Sequence, residues 1–144
     1  VGTHIDEINE YARIYRPDVM FIDQLDKVHI SGTYNRTDEK LKEVYVRARE
    51  ISKRHECLLW AVSQASYEAE GKSIIDYSML DNSRTGKAGE ADLIIGIGRG
   101  ADNNDLSDPN RCITISKNKL NGWHGSRHAT ISIRRGVFES DNNA

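Results

Sequence analysis

A chain of 144 residues is long enough for one domain with a sizeable core and too short for two ordinary ones. With 20 Lys and Arg against 22 Asp and Glu, its formal net charge of −2 argues against a general polyanion binder. It has no run of about 20 apolar residues to span a membrane, and its opening VGTHIDEINE lacks the pattern of a secretion leader, so the expected setting is the cytoplasm.

Ile5, Ile8, Ala12 and Tyr15 recur at helical spacing, predicting a first helix with Thr3 as N-cap and Pro17 beyond its end. Val19–Ile22 (VMFI) is an unbroken apolar run, the pattern of a strand buried on both faces of a parallel sheet. Residues 29–36 are rich in Gly, Ser, Thr and Asn and read as a loop. Thr37 then caps a second helix, with Asp38 and Glu39 in its first turn. Leu41, Val44, Tyr45, Ala48 and Ile51 or Ser52 form its apolar face, and Arg49, Lys53 and Arg54 oppose the dipole at its end.

Residues 57–63 (CLLWAVS) read as a second buried strand, and Cys57 and Cys112 as buried thiols of a reducing compartment. Residues 67–90 form a long, polar, Gly-containing stretch, and loops of that length inside a compact domain usually carry function or lack order. Residues 92–97 (DLIIGI) predict a third buried strand. Residues 111–116 and 128–133 flank the turn-formers Asn121-Gly122 and Gly125, which predicts a hairpin. The order of elements implies an α/β fold over 1–144, a mostly parallel sheet with flanking helices and a C-terminal antiparallel β-hairpin.

Three features bear on chemistry. Asp23 closes the first buried strand, a Walker B-like position from which a carboxylate holds Mg²⁺; an acid there also simply ends a strand at a turn. Gln64 follows the second strand in the same way, where it either orients a water near a γ-phosphate or caps the strand end. Lys117 and Lys119, two residues apart on a predicted strand, share one face near a hairpin tip, placed either to stabilise phosphate charge or to sit in solvent. They belong to a basic stretch, 111–136, that contains no acid.

In order along the chain, RPDVMFIDQLDKV, a charged helix, LLWAVSQAS, GEADLIIGIGR and ITISKNKLNGWHG resemble the C-terminal half of DnaB-like and phage ring-shaped replicative DNA helicases, over nearly the whole length. The resemblance implies a partial RecA-like core and an ATP-dependent helicase of hexameric rings that translocates on single-stranded DNA, with primase as a further partner. ATP (or another NTP) and Mg²⁺ are the implied cofactors. By the same resemblance Asp23 binds Mg²⁺ through water, Gln64 senses phosphate, Arg99 packs against the nucleotide base, and Lys117 reaches the γ-phosphate across a subunit interface. Lys119 falls where the family has an arginine finger, and lysine lacks the planar fork, so Arg127 or Lys117 are alternatives for that role.

The loops that hold single-stranded DNA in the family correspond to 29–36 and 67–90, with Tyr34, Arg36, Lys72, Arg84 and Lys87 as contacts. No G-x-x-x-x-G-K-[ST] occurs in the chain. In the family that P-loop lies upstream, so this stretch alone is expected not to hydrolyse ATP and to be part of a longer core. The alternative is a non-hydrolysing RecA-like module, of recombinase or clock type, that binds DNA or a partner.

Overall fold

The computed structural model describes residues 2–80, 84–100, 105–132 and 134–140. Two compact units emerge, Val1–Gln64 with Leu80–Ala91, and Ala65–Met79 with Asp92–Ala144.

In the first unit, helix α1 (Ile5–Tyr15) is capped by His4 rather than Thr3: the His4 Nδ1 accepts from the Asp6 amide at 3.2 Å. Thr3 instead offers its carbonyl to the His29 amide at 2.9 Å. Arg16, in the left-handed conformation at φ 46°, stops the helix just before Pro17. Helix α2 (Thr37–Arg54) begins at Thr37 and is not capped by it; Arg36 is the N-cap residue. The apolar face of α2 comes out as spacing predicts, with Leu41, Val44, Ala48 and Ile51 buried.

Strands β1 (Val19–Ile22) and β2 (Leu58–Ala61) pair in parallel, from Val19↔Leu58 to Ile22↔Ala61. One face of this pair joins Ile5, Ile8, Ala12, Val44, Ala48 and Ile51 in the core, through Met20, Ile22 and Leu59. The other face departs from the expected double burial. Phe21 is 77% exposed and Trp60 42%, and their rings stack at 6.3 Å. Helices α1 and α2 both contribute to the same core, which accounts for one buried face and not two.

Helix α3 (Arg84–Glu90) packs on α2, and the Arg49 guanidinium donates to the Glu90 carbonyl. It stands where a loop was expected. With Gly86, Gly89 and a single apolar residue, Ala88, its interior carries no helical periodicity, so tertiary packing makes this helix.

The second unit is a four-stranded antiparallel sheet in the order β3 (Leu93–Arg99), β4 (Asn110–Asn118), β5 (Gly125–Ser132), β6 (Val137–Ser140). The predicted hairpin is β4–β5, and the antiparallel part extends beyond it to β3 and β6. Ile133, assigned to the hairpin from sequence, lies outside the described residues. The alternating glycines of IGIGR have a steric cause. A Cβ on Gly96 would overlap the Ile75 carbonyl, and one on Gly98 the Ser73 carbonyl, so the 72–75 segment lies directly on β3. The Arg99 amide completes that contact by donating to the Lys72 carbonyl at 2.9 Å.

Candidate functional site

Parallel pairing of β1 with β2 delivers both C-terminal ends to one edge. Beyond the last register pair, the Val62 amide donates to the Ile22 carbonyl at 3.0 Å, and the Leu25 amide to the Val62 carbonyl at 3.3 Å. Asp23 follows Ile22 directly and Gln64 stands two residues past Val62, so both side chains leave neighbouring strands at that edge, and both are exposed. Ligands of open α/β sheets bind outside the carboxyl ends of the strands.

Among the described residues no three His, Cys, Asp or Glu side chains form a cage for a metal ion. A lone exposed carboxylate fits Mg²⁺, which keeps several waters and takes its other oxygens from phosphates.

Just behind the edge lies a polar network that sequence reasoning missed. Asp26 Oδ1 is 2.9 Å from the Lys87 Nζ and accepts from the Tyr45 hydroxyl at 2.7 Å, while Oδ2 accepts from the Ser63 hydroxyl at 2.8 Å. The Lys87 ammonium also donates to Ser63 Oγ at 3.2 Å and lies 5.8 Å from the Tyr45 ring centroid. Burial, reinforced by the Asp26 carboxylate, pushes the Tyr45 phenol well above its ordinary value. The one signal available in the sequence was Asp26 itself, an acid within the RPDVMFIDQLDKV stretch.

This network corrects the expectation for Lys87. Its side chain is 2% exposed and ion-paired inside the first unit, so its ammonium is not presented to a nucleic-acid phosphate. Lys87 was read as a loop cation because the helix that buries it has no sequence signature.

The other expected DNA contacts differ among themselves. Arg36 is exposed, and its guanidinium grips Asp38 through bonds of 2.9 and 2.8 Å. Tyr34 donates to the Ser31 carbonyl at 3.3 Å. Lys72 is exposed in the second unit. Arg84 opens α3, and its side chain lies outside the described residues.

Also in the second unit, Arg99 lines an open depression of about 490 Å³ together with Tyr67, Lys72, Leu106 and Arg111. Its guanidinium donates to the Asp105 carbonyl at 2.6 Å. The depression mixes apolar side chains with the cations of Lys72, Arg99 and Arg111 and the Glu70 carboxylate.

Lys117 and Lys119 do not share a strand face. β4 ends at Asn118, whose Oδ1 accepts from the Leu120 and Asn121 amides at 3.0 and 3.3 Å and folds the chain into a turn. Lys117 is half-buried on the strand, paired with Ile94. Lys119 lies in the turn, its ammonium 3.9 Å from the Asp92 carboxylate and its amide bonded to the Asp92 carbonyl at 2.8 Å. The period-two expectation failed because the strand ended one residue early. Arg127 is exposed on β5, its guanidinium near the Ser126 carbonyl at 3.2 Å.

A parallel β1–β2 pair with helices packed on it, followed by an antiparallel sheet, defines an α/β fold of the helicase ATPase-domain kind. The chain superposes on the solved ATPase domain of a DnaB-like helicase with a TM-score of 0.82 and 18% identity, covering 96% of this chain and 52% of that one. A second structure, a DnaB-like replicative helicase solved in a study of its interactions with primase, gives a TM-score of 0.82 and 19% identity over 96% of this chain and 36% of that one. The chain thus spans about half the length of the first and about a third of the second. No family model matches the sequence, and no curated protein matches it.

Proposed function

We propose that this chain is part of an ATP-dependent, ring-forming replicative DNA helicase that moves on single-stranded DNA and unwinds duplex. The observation that carries the proposal is the common edge of Asp23 and Gln64, at the place where ATPase sheets hold a triphosphate. The fold likeness to helicase ATPase domains supports it.

In this reading Asp23 would hold Mg²⁺ through its water shell, and Gln64 would present its amide to the water that attacks the γ-phosphate. The metal would supply neutralisation of charge on the β- and γ-oxygens. Arg99 and its depression hold the base. Lys117, with Lys119 or Arg127, supplies positive charge to a nucleotide on a neighbouring subunit of a hexamer. Exposed Arg36 and Lys72 hold the DNA backbone, as single-strand binding without sequence preference requires. Primase is the further partner expected.

The exposed apolar face of β1 and β2 supports a longer core. Val19, Phe21, Leu58 and Trp60 lie on it, and a contiguous apolar patch of that kind marks a surface covered by something else. The P-loop half of the domain is the proposed cover.

A non-hydrolysing RecA-like module that binds DNA or a partner is the second reading. One observation favours it: a lysine ion-paired with Asp92 stands at the finger position. The two separate in one experiment on the intact protein. The helicase reading predicts ATP turnover stimulated by single-stranded DNA and abolished by Asp23→Ala. DNA binding with no turnover, or turnover indifferent to Asp23→Ala, removes it.

A further inference from the structure

The ion pair behind the candidate site, with Lys87 buried and Asp26 half-buried, joins three separate pieces of chain. Asp26 lies in the turn Leu25–Lys27, three residues beyond Asp23; Ser63 is the residue before Gln64; and Lys87 comes from α3. A buried cation and its half-buried carboxylate lose hydration on folding, and apolar residues of similar volume would stabilise the interior as well or better. What the pair adds is direction. All the contacts are short, and the Lys87 ammonium bonds both the Asp26 carboxylate, at 2.9 Å, and the Ser63 hydroxyl, at 3.2 Å. Ser63 also bonds Asp26 at 2.8 Å, closing a triangle that ties the segment leaving β1 to the segment leaving β2. Tyr45 walls off one side and fixes Asp26 Oδ1 at 2.7 Å.

We propose that Lys87 is a positioning residue. Through Asp26 and Ser63 it sets the position of Gln64 relative to Asp23, and so sets the rate of the chemical step rather than the affinity for nucleotide. This rests on the assignment of Asp23 and Gln64 to nucleotide hydrolysis. Lys87 touches neither substrate nor metal; it acts on the backbone segments that carry the groups that do. It also makes α3, which directly precedes β3 in the chain, part of the support of the hydrolytic edge.

The test is a double-mutant cycle on the intact protein. Lys87→Met with Asp26→Leu replaces the pair by apolar residues of similar size, and Ser63→Ala removes one corner of the triangle with little change in volume. Circular dichroism melting first establishes that the variants fold. Steady-state ATP turnover in saturating single-stranded DNA is then measured in two backgrounds, wild type and Gln64→Ala. We expect kcat to fall roughly 10-fold or more in the wild-type background with KM nearly unchanged, the scale for misplacing a group that acts in the transition state. In the Gln64→Ala background the same changes should cost markedly less activity, because one of the two groups whose relative position they set is gone. A wild-type kcat in folded Lys87→Met/Asp26→Leu or Ser63→Ala protein overturns the proposal, and so does an equal loss in both backgrounds. Asp23→Ala serves as the control: if turnover survives it, the hydrolytic assignment itself fails, an outcome distinct from failure of the cycle.

Discussion

The Val62 amide and the Ile22 carbonyl meet at 3.0 Å, and this bond carries the β1–β2 register one step past the strand ends. It holds the two outgoing segments side by side at the point where Asp23 and Gln64 emerge. Had the strands been antiparallel, the residues following them would have left at opposite ends of the sheet. The juxtaposition of Asp23 and Gln64 at one edge is therefore a consequence of parallel pairing.

Arg99 offers a test of the depression in the second unit. With the guanidinium serving as one wall for a base, Arg99→Ala should weaken nucleotide binding about 3- to 10-fold, the range of a cation–π contact. Titration with a fluorescent nucleotide on the intact protein reads this directly. Unchanged affinity would mean the depression receives something other than the base.

Gly98 tests the account of the IGIGR strand. Gly98→Ala pushes a methyl group into the Ser73 carbonyl and should cost about 2 kcal/mol or more, since backbone on backbone has little room to yield. Chemical denaturation measures the change. A loss below about 0.5 kcal/mol would show that the 72–75 segment moves aside easily.

Phe21 tests the open apolar face. If the intact protein covers that face, Phe21→Asp buries a carboxylate without a partner and should destabilise it by about 3 kcal/mol or more. Melting temperatures of the two proteins decide it. An unchanged value would show that Phe21 remains in water.

Tyr45 gives a pH dependence with a definite sign. Its phenol proton is held more tightly in the folded protein than in the unfolded chain, because burial disfavours the phenolate. The resulting stabilisation is complete below the unfolded value of about 10 and is lost as pH rises above it. Denaturation midpoints between about pH 9 and pH 11.5 should therefore fall more steeply for the wild type than for Tyr45→Phe. Equal slopes would contradict the assignment.

The strands and the two long helices were legible because their signals are local. An unbroken VMFI run, an apolar face at 41, 44, 48 and 51, and turn residues at 121 and 122 need no knowledge of the rest of the chain. The place of Asp23 at the end of one apolar run, and of Gln64 just past another, was legible for the same reason. Lys87 was not. Its burial depends on a short helix with two glycines and on an acid some 60 residues earlier in the chain. Strand β6 has only four residues and pairs at the edge of the sheet, too short for alternation to register. Lys119 shows the limit from the other side: a periodicity of two predicts a shared face only while the strand lasts, and Asn118 ends it.

The most direct test of the central claim is a structure of the intact protein with Mg²⁺ and a non-hydrolysable ATP analogue, reading the distance from the metal to the Asp23 carboxylate. The predicted result is a triphosphate seated at the β1–β2 edge, its metal close enough for Asp23 to hold it directly or through water, with the Gln64 amide facing the γ-phosphate. A nucleotide seated away from the β1–β2 edge, with Asp23 and Gln64 both in bulk solvent, would contradict it.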